Sequence, residues 1–405
     1  MSSLFGKEEK ILCLRVLLLA CGRWLKGLVE RGQKDRGLKD DFSFPKNINW
    51  KVFGKMAYYH NLEALLYVLI TKNWLPGDCI PAHLIKEWEK AYFTNIIRNS
   101  EVLSLLRRLL DECTLKHIPV VVLKGPASLV QVYKSDTGMR PMADLDLLCR
   151  KKDLKALSDT AFSLGCRRPG SVRLHHLSMV HESLDIYLEL HFNLFHFMKN
   201  KKEFLGSVWE KTQPVRLEGV AFQVMPLEAQ LVFEAGHFLS HTGFVSLKHY
   251  LDFAAKLLMM KDEINGNDLK RLLRLTGLWD EFISASAALP EWLGIPLEHF
   301  FSFSWPSPGH LETWMKNRPE LSASIGFINL KAPGTELARQ RGIIKKSIFV
   351  FKRLLPPLTA IQAAYGLSSR KKAVLFVPRN LRDALGDFRE RKSIEGQVKN
   401  RSWIA

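Results

Sequence analysis

The apolar positions of the chain change period along its length, and each change marks a new kind of element. Up to about residue 115 they recur at helical spacing. Leu103, Leu106, Leu109 and Leu110 share one helix face, and Arg107 and Arg108 take the other. At Ile118-Pro-Val-Val-Val-Leu123 the pattern becomes a short β-branched run, as in a buried strand, which stops at Lys124-Gly125-Pro126. Pro126 suits the first turn of a helix, where its missing N–H would have no partner anyway. Ala143–Cys149 is a second apolar run, with acids at alternate positions. A helix is predicted from about Lys152 to Leu164, closed by Gly165 as its cap. Leu184–Phe192 then alternates almost strictly, which predicts a third strand.

Strand, helix, strand, helix, strand in so short a span is a compact α/β unit. After Pro226 the period returns to helical, through Leu227–His241 and Leu247–Met260. Phe301–Gly309, with Pro306 and Pro308, reads as a linker, and Leu354-Leu355-Pro356-Pro357 interrupts any long helix beyond it. Four regions follow: a helical N-terminal region over 1–115, an α/β core over 116–225, a helical cap over 226–330 and a basic helical segment over 331–405.

Composition alters this picture in two places only. The 405 residues are 47% hydrophobic and 25% charged, ordinary for a globular protein of two or three folded units. Disorder, collagen and membrane bundles are excluded. The net charge of +18 is uneven, with most of the excess after Lys331. Lys345, Lys346, Lys352, Arg353, Arg370, Lys371 and Lys372 stand among apolar residues there, a pattern that suits anionic lipid at the inner face of a membrane. Nucleic acid is the weaker alternative, because stacking aromatics are sparse. A solvated basic helix is the plain one.

The six cysteines are scattered without a C-x-x-C pair, so neither a zinc site nor a disulfide scaffold is expected. Buried thiols in a reducing cytoplasm are the simplest account. Ile11–Gly22 is apolar, but Arg15 interrupts it, Glu8 and Glu9 precede it and no cleavage site follows. No run reaches the roughly 18 apolar residues of a spanning helix. The sequence therefore predicts a cytoplasmic protein with, at most, peripheral membrane contact.

The chemistry lies in Gly138-Met-Arg-Pro-Met-Ala-Asp144-Leu-Asp146-Leu-Leu-Cys149. On a strand, Asp144 and Asp146 project from the same face. Two adjacent carboxylates repel unless a cation lies between them, and Mg²⁺ favours oxygen ligands that it shares with phosphates. Tyr187-Leu-Glu189-Leu-His191 supplies a third acid, with Asp185 as its rival on the same strand face. Three carboxylates on two strands would hold two metal ions, one at the attacking hydroxyl and one at the leaving phosphate. Alone, a D-x-D is weak evidence, since it is usually a solvated strand edge. The surrounding order of elements raises its weight.

These blocks resemble a family. Leu123-Lys124-Gly125, Tyr133, Gly138-Met139-Arg140, Asp144-Leu-Asp146-Leu-Leu, His175-His176 and Leu188-Glu189-Leu190-His191 are similar to an uncharacterised bacterial nucleotidyltransferase family with L-K-G, R-x-x-x-D-I-D-L-L and E-L-H-W motifs. That family lies within the polymerase-β-like superfamily. The likeness covers about residues 118 to 255, with a looser echo at Leu354-Leu-Pro-Pro and Tyr365-Gly366. It implies an α+β fold: a minimal nucleotidyltransferase core with a mixed sheet, flanked by N- and C-terminal helical regions. It also implies transfer of a nucleotidyl group from a nucleoside triphosphate to a hydroxyl acceptor, with Mg²⁺, or Mn²⁺ in its place, on Asp144, Asp146 and Glu189. The superfamily's Gly-Ser at the first helix is here Lys124-Gly125-Pro126, so phosphate binding would lean on Lys124, the Gly125 backbone and Arg140. Phe192 stands where the family has Trp.

Each residue also has a plainer reading. Lys124 and Arg140 could be surface cations or partners to the acids, and Gly125 could serve only a tight turn. His191, on the Glu189 face, is the best histidine candidate for a base or substrate contact, whereas His181 reads as structural. His237 and His241 share a helix face, but Phe238 stands where a zinc protease needs Glu, so packing or pocket lining is expected. Asp252 is expected to fix a helix or to pair with a nearby base. The same metal chemistry would serve phosphoryl transfer, and a non-catalytic module docking through the basic segment is the alternative from another class.

Overall fold

The computed structural model describes residues 7–30, 42–167, 176–195, 198–240, 246–295 and 300. Four helices come first: α1 (Lys7–Glu30), α2 (Trp50–Tyr59), α3 (Glu63–Thr71) and α4 (Ala82–Leu115). The core follows with β1 (Val120–Val122), α5 (Gly125–Gln131), β2 (Asp144–Cys149), α6 (Leu154–Ser163), β3 (Cys166–Arg167), β4 (His176–His181) and β5 (Ile186–His191). Then come α7 (Lys201–Glu210), β6 (Gln213–Leu217), β7 (Val220–Val224), α8 (Leu227–Ser240), α9 (Leu247–Met259), α10 (Gly266–Thr276) and α11 (Trp279–Leu293). This is an α+β chain built on a mixed sheet.

The seven described strands form one sheet in the order β3-β4-β5-β2-β1-β7-β6. The pairs β2–β5 and β1–β7 are parallel, and the others antiparallel. β2, the acid-bearing strand, is the middle one. Leu145 and Leu147 on β2 and Leu188 and Leu190 on β5 are fully buried on one face, in register with each other. Asp144, Asp146, Glu189 and His191 alternate with them and so share the opposite face.

Strands β1, β2 and β5 and helices α4, α5, α6, α8 and α9 fall where the periodicity predicts. Gly165, at φ +91°, lies just beyond the last turn of α6, in the left-handed conformation that a cap requires. β4 escaped the sequence reading because its polar positions (His176, Ser178, His181) mask the alternation. The β6–β7 hairpin also escaped, although its Glu218-Gly219 turn, with φ of 48° and 77°, is the type that suits the twist of a two-residue hairpin.

The helices before and after the core pack on one another. α1 meets α2, α9 and α11. Gly22 allows the closest approach, since a β-carbon there would lie 2.1 Å from the Leu293 carbonyl oxygen of α11. Much of the apolar stretch is therefore core material, with Cys13, Leu17, Ala20 and Cys21 inaccessible. No described helix is long and apolar enough to cross a membrane. Five cysteines are buried free thiols, and Cys79 is exposed. The linker at Phe301–Gly309, the basic segment over 331–405, His175 and His241 lie outside the described residues.

Candidate active site

The loop from Asp136 to Met142 delivers β2 to the sheet, and α4 fixes that loop. Tyr92 donates its hydroxyl to Asp136 at 3.1 Å, and Asn95 donates to the Gly138 carbonyl at 2.9 Å. Asn99, fully buried, donates to the Thr137 and Arg140 carbonyls at 2.6 and 2.8 Å and accepts from the Met142 N–H at 3.1 Å. Three backbone groups that would otherwise be unsatisfied are met by one side chain. Arg98, on the same helix, donates to the Leu184 and Asp185 carbonyls ahead of β5. One helix thus sets the entry of both acid-bearing strands.

The register then brings the acids together. Asp146 lies directly beside Glu189, and Asp144 beside Tyr187. Asp144 is exposed at the mouth of the site, Asp146 is buried, and the Glu189 side chain is 30% accessible. Asp185, the rival third acid, lies in the exposed turn before β5 at φ +49°.

Basic groups converge on this face. Lys124 takes a positive φ of 46° at the start of α5 and lies 3.2 Å from an Asp146 oxygen, with its ammonium 5.5 Å from the Phe233 ring centre. His191 Nε2 lies 2.8 Å from Asp146 Oδ1 and 3.4 Å from Glu189 Oε2. His176, the cross-strand partner of His191, places Nε2 3.6 Å from Glu189 Oε1. The cation that the carboxylate pair demands is therefore supplied in part by the chain itself. A β-carbon at Gly125 would lie 2.8 Å from Met142 Sδ, so a larger residue there would have to displace the Met142 side chain.

The charges distort one another's titration. Although Asp144 is exposed at its edge, the protein packed around its carboxyl strips water from it and raises its pKa, as does repulsion from Asp146, against the pull of Lys124 and Lys248. Burial would also raise Asp146, but Lys124 and the His191 hydrogen bond outweigh it and hold its pKa low. For His191, burial favours the neutral ring, yet the bonds to Asp146 and Glu189 push its pKa up to about 9. Lys248 is pushed down to about 8 by burial and by the nearby Arg140 guanidinium.

Arg140 has another partner. Its guanidinium is buried against Asp252 of α9, with Nε 3.1 and 2.9 Å from the two carboxylate oxygens and one terminal nitrogen at 2.7 Å. Tyr133 donates its hydroxyl to the same carboxylate at 2.9 Å. The expected base partner of Asp252 is thus Arg140, a residue that the sequence reading held for phosphate. The sequence reading passed over Lys248, although a signal for it existed. Lys248, Asp252 and Lys256 recur every fourth residue on an otherwise apolar helix, and all three are buried. Lys256 pairs with Glu234 of α8. A small cavity of about 10 Å³, room for about one water molecule, adjoins Lys124, walled by Phe233, Glu234, His237, Phe238, His249 and Asp252.

Residues 46–294 match the model of a family described as uncharacterised nucleotidyltransferase. The chain belongs to that family. A solution structure of the antibiotic-resistance factor ANT(2'')-Ia is similar over 43% of this chain and 92% of that one, at 12% identity and a TM-score of 0.34. No curated protein matches the sequence. Membership of that family supports nucleotidyl transfer in general terms, and the acids, Lys124 and His191 are the groups the core brings together.

Proposed function

We propose that the protein transfers a nucleotidyl group from a nucleoside triphosphate to a hydroxyl acceptor, with Asp144, Asp146 and Glu189 holding Mg²⁺. The observation that carries this reading is the pairing of β2 with β5, which puts Asp146 beside Glu189 with Asp144 at the solvent edge. The donor set fits the ion: three carboxylates on two hydrogen-bonded strands, on one face, with one side open. A divalent cation held there neutralises phosphate charge and favours the ionised form of the attacking hydroxyl.

The chain's own groups have separate tasks. Lys124, 3.2 Å from Asp146, would be placed to meet a phosphate oxygen beside that acid, and Lys248 adds positive potential on the Asp144 side. Gly125 keeps the turn thin. His191 orients Asp146 by hydrogen bonding and carries a proton next to the reacting groups. Arg140 acts at one remove: locked to Asp252, it ties the loop before β2 to α9.

The test is a panel of labelled triphosphates with Mg²⁺ and a range of hydroxyl acceptors, with Asp144→Asn in parallel. Mass spectrometry of the product separates nucleotidyl from phosphoryl transfer. Product formation undiminished in Asp144→Asn would remove the mechanism. The balance of Asp146 by Lys124 also favours a second reading, a fold that binds without catalysis, since these acids are tolerated without a metal ion. Thermal stability measured with Mg²⁺ and a triphosphate distinguishes the two: a joint stabilisation supports the enzyme, and its absence the binding module.

A further inference from the structure

His176, Glu189 and His191 present one donor atom each within 4.8 Å of one another. We infer that these three residues form a site for a first-row transition-metal ion such as Zn²⁺ or Co²⁺, distinct from the oxygen-only set of Asp144, Asp146 and Glu189. The inference goes beyond the transfer reaction, with which it shares Glu189 and His191.

Three observations carry it. The first is donor chemistry. Imidazole nitrogen is a poor ligand for Mg²⁺, whereas two imidazoles and a carboxylate suit zinc and its neighbours, with a position left for water or substrate. The second is spacing. Ligands about 2.05 Å from a tetrahedral ion are about 3.3 Å apart. Glu189 Oε1 lies 3.6 Å from His176 Nε2, and Glu189 Oε2 lies 3.4 Å from His191 Nε2. The two contacts use different oxygens of Glu189, so the carboxylate would bind through both or rotate to bring the donors, all within 4.8 Å of one another, to bonding distance.

The third is rigidity. His176 and His191 face each other across the antiparallel β4–β5 ladder, their ring centres 5.1 Å apart, and Glu189 is two residues from His191 on the same face. Both histidines are buried, at 6% and 3% accessible, while the Glu189 side chain leaves the site open to solvent. The ligands are held by the sheet, so little order remains to be lost on binding. With His191 Nε2 on the ion, Asp146 Oδ1, 2.8 Å from that nitrogen, is placed to join the ion as a fourth ligand.

The test uses the full chain, freed of metal with a chelator and titrated with Co²⁺, whose visible absorption reports four- or five-coordinate nitrogen and oxygen ligation. The expected result is a saturable band at one equivalent, displaced by Zn²⁺ but not by a large excess of Mg²⁺. His176→Ala should weaken Co²⁺ binding by roughly 100-fold, about 2.7 kcal/mol. Glu189→Gln serves as the second variant, and circular dichroism confirms that each is folded. Asp144→Asn should leave the band intact. No band in the wild type, or an unchanged titration in folded His176→Ala, overturns the site. Triphosphate transfer that survives in that case leaves the proposed function standing. Loss of transfer in Asp144→Asn alongside an intact Co²⁺ band supports both independently.

Discussion

Two buried charge clusters lie on the same side of the molecule, and they are built on opposite plans. Around Asp252 every group is matched: one carboxylate takes three short contacts from Arg140 and one from Tyr133, with nothing left over. Around Asp146 three carboxylates share Lys124, His191, His176 and a more distant Lys248, and one of the acids, Asp144, has its pKa raised by burial and by repulsion from Asp146. The first cluster is saturated and closes the fold. The second shares its charges among several groups rather than closing one pair, and it is open on one side. A saturated ion pair acts as a structural clamp, while an unsaturated one is poised to take a cation or a phosphate-bound metal.

The contrast predicts which substitutions cost activity and which cost stability. Asp144→Asn should lower kcat/KM for transfer by about 10³-fold, or roughly 4 kcal/mol, with Tm unchanged or slightly raised because a repelled acid is removed. A fall in Tm as large as that of the next variant would break the comparison. Asp252→Asn removes the partner of a buried guanidinium and should destabilise by about 3–5 kcal/mol in urea unfolding, whatever its effect on catalysis. Arg140→Lys should behave alike, since an ammonium cannot reproduce the forked contact.

Asn99→Ala tests how the two clusters are joined. It strands the Thr137 and Arg140 carbonyls and the Met142 N–H, and should cost about 2–3 kcal/mol. Because that loop carries both Arg140 and Asp144, stability and kcat should fall together. Unchanged kcat in the folded variant would mean that α4 does not position the acids.

The smallest effect is one of pH. His60, buried, accepts from the Leu247 N–H at 3.4 Å where the α2–α3 turn meets α9, and burial lowers its pKa to about 4. Between its ordinary value and 4 the unfolded chain binds a proton that the folded chain refuses, so stability falls as pH drops from about 6.5 toward 4. The expected loss is about 2 kcal/mol between pH 7 and 5, flattened in His60→Gln. A pH profile of Tm unaltered by that change would place the acid sensitivity elsewhere, in the carboxylates of the open cluster.

Much of the site could be read from the chain before any fold was known. Asp144, Asp146, Glu189 and His191 were legible because each interrupts an apolar strand on one side of a period of two. Lys124 and Gly125 were legible from the abrupt end of a strand. Arg140 was legible as important but not in its role, since a guanidinium before a D-x-D looks the same whether it meets phosphate or Asp252. Asn99 gave no signal, because one amide within a long polar-rich helix has no pattern to break. Lys248 was overlooked within a helix read mainly for its apolar face.

What the sequence determined by itself is local: which residues alternate, where a strand stops, and which side chains share a face. Those properties follow from backbone geometry within a few residues, and no partner is needed to set them. The tertiary structure alone decided that β2 lies parallel to β5 with Asp146 opposite Glu189, that β4 brings His176 to the same place, and that Asp252 takes Arg140 across 112 residues. Such choices depend on contacts between distant segments, which reward the chain only after long loops have closed. No local period can encode them.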